Sequence, residues 1–216
     1  SHGEASHALR DFAGLPHRLQ FVAEYNGVQY FNDSKSTTPD TAMLAIDSFP
    51  PGKVHAILGG YDKGSDLTEL ATFAAKKCKA IYTIGVTGDA IAKAAESHDE
   101  NSIAAVHGPN AGIQSCGGTP GWHSGAEVVR CGTIENALAE IATRLHEGDV
   151  VLLSPGCASW DQYENFEQRG AKFVQAILAA TSEGAPGVRE AWLRCRDRPV
   201  RSSTTQLHTK LRQIDR

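Results

Sequence analysis

The sequence predicts an α/β fold, in which helices cover both faces of a mostly parallel sheet. Short apolar runs of four or five residues alternate with longer segments of helical periodicity. Such all-apolar strands are typical of parallel sheets that are buried on both sides. An Asn-Gly pair between two β-prone runs predicts an antiparallel hairpin at the start of the domain, because a type I′ turn needs positive φ at both central residues.

The predicted elements follow one another without long gaps up to residue 97. After the hairpin the order is α-β-α-β-α-β-α-β-α, a doubly wound, Rossmann-like arrangement. We expect hairpin strands at 19–25 and 28–31. We expect further strands at 54–58, 80–84, 127–131 and 150–153, and helices at 39–48, 67–77, 89–97, 134–146 and 163–180.

Three regions fall outside this alternation. A short amphipathic helix is predicted at 5–12, and the chain begins abruptly within that pattern, which predicts further sequence upstream. Residues 98–125 are rich in Gly, Asn, Ser and Pro and read as an irregular insertion. A basic tail at 182–216 has no predicted role, although its last 29 residues hold eight Lys or Arg against three Asp or Glu.

The composition argues against several classes of protein. Hydrophobic residues make up 41% and charged residues 21% of the 216, which is ordinary for a globular domain. The net charge of −4 gives no reason to expect a nucleic acid, and no apolar run approaches the ~20 residues of a membrane span. The five cysteines are odd in number and form no Cys-x-x-Cys pair, which favours a reducing, cytoplasmic location. The nine histidines show no metal-ligand spacing.

Three loops that follow predicted strands carry the polar residues of interest. They lie within the stretches 30–40, 56–66 and 149–170, and the first two contain Lys35 and Lys63. In doubly wound sheets ligands bind beyond the carboxyl ends of the strands, so we expect the three loops to converge. Backbone N–H groups at such loops bind anions. The chain lacks both a G-x-x-x-x-G-K-[ST] phosphate loop and a G-x-G-x-x-G fingerprint.

Each candidate has a plain alternative. Asp33 could accept ribose hydroxyls, and Lys35 and Thr37 could hold anionic oxygens. Alternatively Asp33, or Thr38 or Thr37, could cap the next helix, although Lys35 is unexpected beside a helix N-terminus because the helix dipole disfavours a cation there. Lys63 could hold a carboxylate or phosphate, or could lie in a plain turn. Ser159 could expose backbone amides to a carboxylate, or could be a helix N-cap.

Three further residues of the last loop favour a structural reading. Cys157 has no base near it in the sequence, which favours a buried structural thiol. Glu167 and Arg169 read as a solvated ion pair. On these grounds alone the chain is an α/β domain that binds a small anionic ligand.

The combination of motifs resembles the C-terminal domain of the D-glutamate-adding Mur ligases, the UDP-N-acetylmuramoyl-L-alanine:D-glutamate ligases (MurD). Order and spacing agree from about residue 9 to 180, and Asp-Ser-Lys stands where other Mur ligases and folylpolyglutamate synthetases have a histidine-containing motif. The motifs are Leu15-Pro16-His17-Arg18, Asn32-Asp33-Ser34-Lys35-Ser36-Thr37, Leu58-Gly59-Gly60 with Lys63, residues 153–162 (LSPGCASWDQ), and Asn165-Phe166-Glu167-Gln168-Arg169-Gly170.

The resemblance implies a role for each candidate. Arg18 would lie against the adenine of ATP, Asp33 would bind its ribose, and Lys35 would lie near the phosphates or the glutamate. D-glutamate would contact a second set of residues: Thr37, Lys63, Ser159, the Trp160 backbone and Phe166. No residue of this chain is assigned a catalytic or metal-binding role.

The resemblance also implies what lies elsewhere. In the family an acyl phosphate forms from ATP and UDP-N-acetylmuramoyl-L-alanine, and the phosphate loop and the Mg²⁺-binding residues lie upstream. We therefore expect residues 1–17 to end a central ATP-binding domain, residues 18–181 to form the glutamate ligase domain, and the chain alone to be an inactive monomer. Two alternatives stay open, namely a non-catalytic nucleotide- or amino-acid-binding module and a related ligase with another acidic substrate.

Overall fold

A computed structural model describes residues 14–61, 63–106 and 125–181, with the backbone alone for 98–106. Its six strands form one sheet in the order β1-β2-β6-β3-β4-β5. Only β1 runs antiparallel to its neighbour, and the other four pairings are parallel, as the sequence predicts. The strands are β1 (Gln20–Tyr25), β2 (Val28–Asn32), β3 (Val54–Gly59), β4 (Ala80–Ile84), β5 (Glu127–Gly132) and β6 (Val150–Leu153).

The hairpin turn forms where the Asn-Gly pair predicts it. Asn26 and Gly27 have φ of 52° and 71°, which is the left-handed conformation that a type I′ turn requires at both positions. Tyr25 pairs with Val28 across the turn.

In the part of the chain that the structure describes, five helices cover the two faces of the sheet. Side chains of the buried strands alternate between two apolar cores: Ala56 and Leu152 pack with the first three helices, and Ile57 and Val151 pack with the last two. The helices are α1 (Pro39–Asp47), α2 (Thr68–Lys77), α3 (Gly88–Val106), α4 (Ile134–Ala142) and α5 (Phe166–Thr181).

Three helix boundaries differ from the prediction. Helix α3 continues to Val106, so the start of the expected irregular insertion is helical, because no Gly or Pro interrupts the chain before Gly108. Helix α4 ends at Ala142, and the amide of His146 instead donates to the Asp149 carboxylate. Helix α5 begins only at Phe166. The predicted helix at 5–12, the remainder of the insertion at 107–124 and the tail at 182–216 lie outside the described residues.

The fold places a crevice at the carboxyl end of β6. The chain leaves β2 and β3, the two neighbours of β6, towards helices on one face, and it leaves β6 towards α5 on the other face. Loops that diverge in this way open a cleft where doubly wound sheets bind their ligands. Within the described ranges, no helix is both long and apolar enough to cross a bilayer.

Candidate functional site

The three loops predicted to converge are joined by backbone hydrogen bonds. The amide of Asp33 donates to the Leu153 carbonyl (2.8 Å) and that of Gly156 to the Ser36 carbonyl (3.0 Å). The amide of Tyr61 donates to the Ala158 carbonyl (2.8 Å), so the loop after β3 is bonded to the loop after β6. The site is therefore a continuous rim rather than three separate turns.

Arg169 joins two loops of this rim by hydrogen bonds. The interpretation of Arg169 as a solvated residue did not predict this role. Arg169 is only 1% exposed, whereas Glu167 is exposed, so the two do not form a solvated pair. Its guanidinium donates to Ser34 Oγ and the Ser34 carbonyl (3.0 and 2.9 Å) and to the Cys157 and Ala158 carbonyls (both 3.1 Å). Burial lowers its pKa to about 10, which leaves it protonated at neutral pH.

The sequence does carry a signal for this burial. Arg169 stands four and eight residues before Phe173 and Ile177, both of which are fully buried on α5. The helical repeat therefore places Arg169 on the core face. A buried arginine in the first turn of a helix needs hydrogen-bond acceptors, and backbone carbonyls provide them when no carboxylate shares that face.

A cavity of about 290 Å³ brings together the three residues predicted for the nucleotide, Arg18, Asp33 and Lys35. It lies between the segment before β1, the loop after β2 and helix α1. Its other lining residues are Leu19, Ser36, Thr41, Leu44, Ala45 and Ser48. The cavity thus has an apolar wall on α1, a carboxylate and two cationic side chains.

Asp33 is fixed in this cavity with 8% of its surface exposed. Its Oδ1 accepts from the Leu19 amide (3.0 Å) and its Oδ2 from Ser154 Oγ (2.7 Å). Burial raises the pKa of Asp33, and the hydrogen bonds and the charge of Arg18 offset that only in part. The Leu19 amide reaches Asp33 because His17 and Leu19 adopt φ of 62° and 41°, which is uncommon for residues other than glycine.

A second, much smaller cavity of about 10 Å³ lies on the other side of the loop after β2. Thr37 and Lys63, both predicted for glutamate, line it together. Its other lining residues are Tyr61, Ser65, Leu67, Gly156, Cys157 and Ala158. Ser159 follows Ala158 directly and is buried.

Trp160 and Phe166 lie at the rim, beside the two lysines. Trp160 is 61% exposed, and Lys63 Nζ lies 4.7 Å from its ring centre. Phe166 is half-buried, and Lys35 Nζ lies 4.3 Å from its ring centre. Phe166 therefore contacts a residue predicted for the nucleotide side, so the two predicted groups meet at this point.

The helix-cap alternatives for Ser159, Thr37 and Asp33 are wrong. Residues 160–162 form a turn, α5 does not begin before Phe166, and the Ser159 carbonyl accepts the Gln162 and Tyr163 amides. Asn165 instead caps α5, since its Oδ1 accepts from the Gln168 amide (2.7 Å). The N-x-x-Q spacing is that of a capping box, a signal available in the sequence. At α1 the N-cap position belongs to Thr38, whose side chain makes no capping bond.

Cys157 packs inside the rim, as predicted. It is 4% exposed, and its Sγ lies 3.4 Å from Thr87 Oγ1. That hydroxyl also accepts from the Gly60 amide (2.9 Å), so Cys157 belongs to the contacts that join the loop after β3 to α3. Among the described residues, no three His, Cys, Asp or Glu side chains are grouped as metal ligands.

Comparison with known proteins finds one family. Residues 17–157 match the family described as Mur ligase, glutamate ligase domain. The chain is 40% identical over 172 residues to the UDP-N-acetylmuramoylalanine--D-glutamate ligase of Acidobacterium capsulatum, covering 80% of this chain and 31% of that protein. It is 38% identical over 171 residues to the same-named ligase of Aquifex aeolicus, covering 78% and 34%.

A solved structure is also similar. The crystal structure of the MurF ligase from Thermotoga maritima in complex with ADP is 17% identical, with a TM-score of 0.43, and the match covers 77% of this chain and 33% of that one. The chain spans about a third of the length of the curated relatives it matches.

Proposed function

Because the chain belongs to the Mur ligase family, through its glutamate ligase domain, we propose that it is the C-terminal domain of an ATP-dependent ligase that adds D-glutamate to UDP-N-acetylmuramoyl-L-alanine. Relatives named for this reaction, at 38–40% identity, support the choice of substrate. The product is a precursor of peptidoglycan, so the reaction serves cell-wall biogenesis, and with it cell shape and division.

The observation that carries the proposal is a pair of cavities beside residues 33–37, a larger one that contains Arg18, Asp33 and Lys35 and a water-sized one lined by Thr37 and Lys63. One holds a buried carboxylate, two cations and an apolar wall, which suits a nucleotide. The other holds a hydroxyl and an ammonium group, which suits a carboxylate. A ligase that brings an amino acid to a nucleotide-activated acid needs two such sites side by side.

The chemistry proceeds in two steps. The carboxylate of UDP-N-acetylmuramoyl-L-alanine attacks the γ-phosphorus of ATP, which gives an acyl phosphate and ADP. The amine of D-glutamate then attacks the acyl carbon, phosphate leaves, and an amide forms with loss of a proton from nitrogen. Both steps concentrate negative charge on phosphoryl oxygens, which positive side chains at the rim stabilise.

On the nucleotide side, Arg18 lies along the adenine, and Asp33 accepts hydrogen bonds from the ribose. The Ser154 and Leu19 contacts hold the Asp33 carboxylate in place. Lys35 extends from the same loop towards the phosphates. The apolar wall of α1 shields one face of the bound nucleotide.

On the glutamate side, Lys63 and Thr37 bind a carboxylate of D-glutamate. Ser159 and the backbone at Trp160 bind the other carboxylate, and Phe166 closes the rim between the two ligands. A substrate with two carboxylates accounts for two lysines at one rim, since each provides a separate positive charge.

Several parts of the reaction belong to the remainder of the ligase. From the resemblance to the family, we assign the Mg²⁺ that accompanies ATP to upstream domains, together with the phosphate loop. Residues 1–17 then end the central domain and its linker, and 18–181 form the glutamate ligase domain. We further propose that the ligase is a monomer and that it works in the cytoplasm, where ATP is available. The isolated chain does not turn over substrate.

A chimera tests this function directly. Residues 17–181 replace the matching third of the Acidobacterium capsulatum ligase, and phosphate release is measured with ATP and UDP-N-acetylmuramoyl-L-alanine. We expect release that depends on D-glutamate and not on L-glutamate, and a chimera with Lys63→Met as the inactive control. A chimera that accepts another acidic amino acid in place of D-glutamate would contradict the substrate, and one that folds but never releases phosphate would contradict the ligase.

A further inference from the structure

Both lysines of the rim rest on aromatic rings from one short segment. Lys63 Nζ lies 4.7 Å from the Trp160 ring centre, and Lys35 Nζ lies 4.3 Å from that of Phe166. These distances fall within the ~6 Å range in which a ring face attracts a cation. The two lysines come from different loops, yet their rings are only six residues apart.

Each ring is itself held in place. The Trp160 ring lies 5.7 Å from that of Tyr61, whose amide is bonded to the Ala158 carbonyl. The Phe166 ring meets the His17 ring edge-on at 6.0 Å, and the Phe166 carbonyl accepts from Ser34 Oγ at 2.8 Å. Ser34 precedes Lys35, so the loop after β2 contacts Phe166 both through a hydroxyl and through an ammonium group.

Among the described residues, the two lysines lack the usual partner of a cation, a carboxylate. No carboxylate of the described residues lies within ion-pair distance of either ammonium group, although other lysines of the fold, such as Lys77 and Lys79, pair with aspartates. A carboxylate partner would cancel the charge and repel an incoming anion. A ring orients the ammonium group and leaves its full charge for a ligand.

We propose that the side chains of Trp160 and Phe166 are positioning residues, which hold Lys63 and Lys35 over their rings and present the two ammonium groups to the carboxylate and phosphate oxygens of the ligands. The identity of those ligands rests on the proposed function, but the holding of the lysines does not. On this account the Trp160 indole and the Phe166 ring act through the lysines and not by touching D-glutamate.

The first experiment observes the lysines themselves in the 216-residue chain. A methylene group above a ring face is shifted upfield in its proton resonance by the ring current. We expect upfield-shifted ε-CH₂ signals for Lys63 and Lys35, assigned by their loss in Lys63→Met and Lys35→Met. Trp160→Leu abolishes the shift of Lys63 alone, and Phe166→Leu that of Lys35 alone, whereas the aromatic controls Trp160→Phe and Phe166→Tyr keep it. Unshifted signals in the unmodified chain would overturn the proposal.

The second experiment separates this proposal from the proposed function. Calorimetric titration of the same variants uses D-glutamate and ATP as probes. We expect Trp160→Leu to weaken D-glutamate about twofold to fivefold, the effect of one exposed cation–π contact, and Phe166→Leu to weaken ATP by a similar factor, with near-normal binding by the two aromatic controls. Equal weakening by the aromatic controls would mean that the rings touch ligand and would overturn the positioning role. Shifted lysine signals without binding of either probe would uphold the holding of the lysines and contradict the ligand sites that the proposed function assigns to this chain.

Discussion

At the carboxyl end of the sheet, in addition to the Asp33 carboxylate, a buried charge is the cation Arg169, whose hydrogen-bond partners are carbonyl and hydroxyl oxygens. At the amino end it is the anion Asp149, 1% exposed, whose Oδ2 contacts the Lys79 ammonium, His55 Nε2 (3.2 Å) and the His146 amide (2.8 Å). His55 also meets the Tyr82 hydroxyl (3.0 Å), and burial lowers the pKa of its imidazole.

The difference supports our proposal that the ligand sites lie at the carboxyl end. At the amino end the charge of Asp149 is neutralised by an ion pair with Lys79 from the adjoining loop, so these polar groups stabilise the fold. Among the described residues, carbonyl and hydroxyl dipoles hold the buried cation of the carboxyl end, and two exposed lysines rest on rings. The ammonium groups of Lys35 and Lys63 therefore lie where the loops after β2, β3 and β6 converge, which suits anionic ligands.

The test with the largest expected effect on stability removes the buried cation. Arg169→Met leaves the carbonyls of Cys157 and Ser34 without this donor, whereas the Ala158 carbonyl keeps the Tyr61 amide. Each unsatisfied buried group costs ~1–3 kcal/mol. We expect a loss of about 3–5 kcal/mol in the free energy of unfolding, measured by urea denaturation. Lys172→Met, an exposed change on the same helix, is the control and should stay within ~0.5 kcal/mol. A loss below ~1 kcal/mol for Arg169→Met would mean that the rim does not depend on it.

The second test removes the buried anion. Asp149→Asn should cost about 2–3 kcal/mol at neutral pH, because charge-assisted hydrogen bonds are lost. Desolvation raises the pKa of Asp149, but the hydrogen bonds from Lys79, His146 and His55 outweigh it, so the pKa is lowered in the folded state. Its stabilisation is therefore complete above about pH 4 and is lost as the pH falls through the folded value. A cost that persists at lower pH would contradict this assignment.

The third test asks whether the carboxylate of the site behaves in the opposite way. Because the folded pKa of Asp33 is raised, its contribution is complete below the unfolded value of about 4 and declines as the pH rises through the folded value. Asp33→Asn keeps one acceptor oxygen and should cost on the order of 1 kcal/mol, and less at pH 7 than at pH 4. Urea midpoints across this range check the sign, and a cost that grows with pH would show that Asp33 is not desolvated.

The contrast also shows what the sequence could reveal. The apolar runs at β3, β4 and β6 predicted their strands within one residue, and the Asn-Gly pair predicted the hairpin, because both signals are local. The convergence of Asp33, Lys35, Lys63 and Ser159 followed from the rule on strand ends. The burial of Arg169 was missed although the helical repeat of α5 indicated it, and the capping role of Asn165 was missed although the capping-box spacing indicated it. The aromatic partners of the lysines depend on loop geometry that no local pattern encodes.

The test with the smallest expected effect distinguishes a hydroxyl that stabilises the fold from one that binds a ligand. Thr133 caps α4, where its side chain accepts from the Asn136 amide (3.3 Å), so Thr133→Ala should cost about 1 kcal/mol. Ser159 caps no helix, so Ser159→Ala should change stability by less than ~0.5 kcal/mol while it weakens D-glutamate. Thermal unfolding and calorimetric titration measure the two effects. Equal destabilisation by both changes would return Ser159 to a structural role.

The central claim, that two adjoining ligand sites lie on either side of residues 33–37, is tested most directly by separate titrations of the ¹⁵N-labelled chain with ATP and with D-glutamate. We predict that ATP shifts the amide signals of Arg18, Leu19 and Ala45, and that D-glutamate shifts those of Thr37, Lys63 and Ser159. Shifts of one common set of amides by both ligands, or of neither set at saturating concentration, would contradict the account.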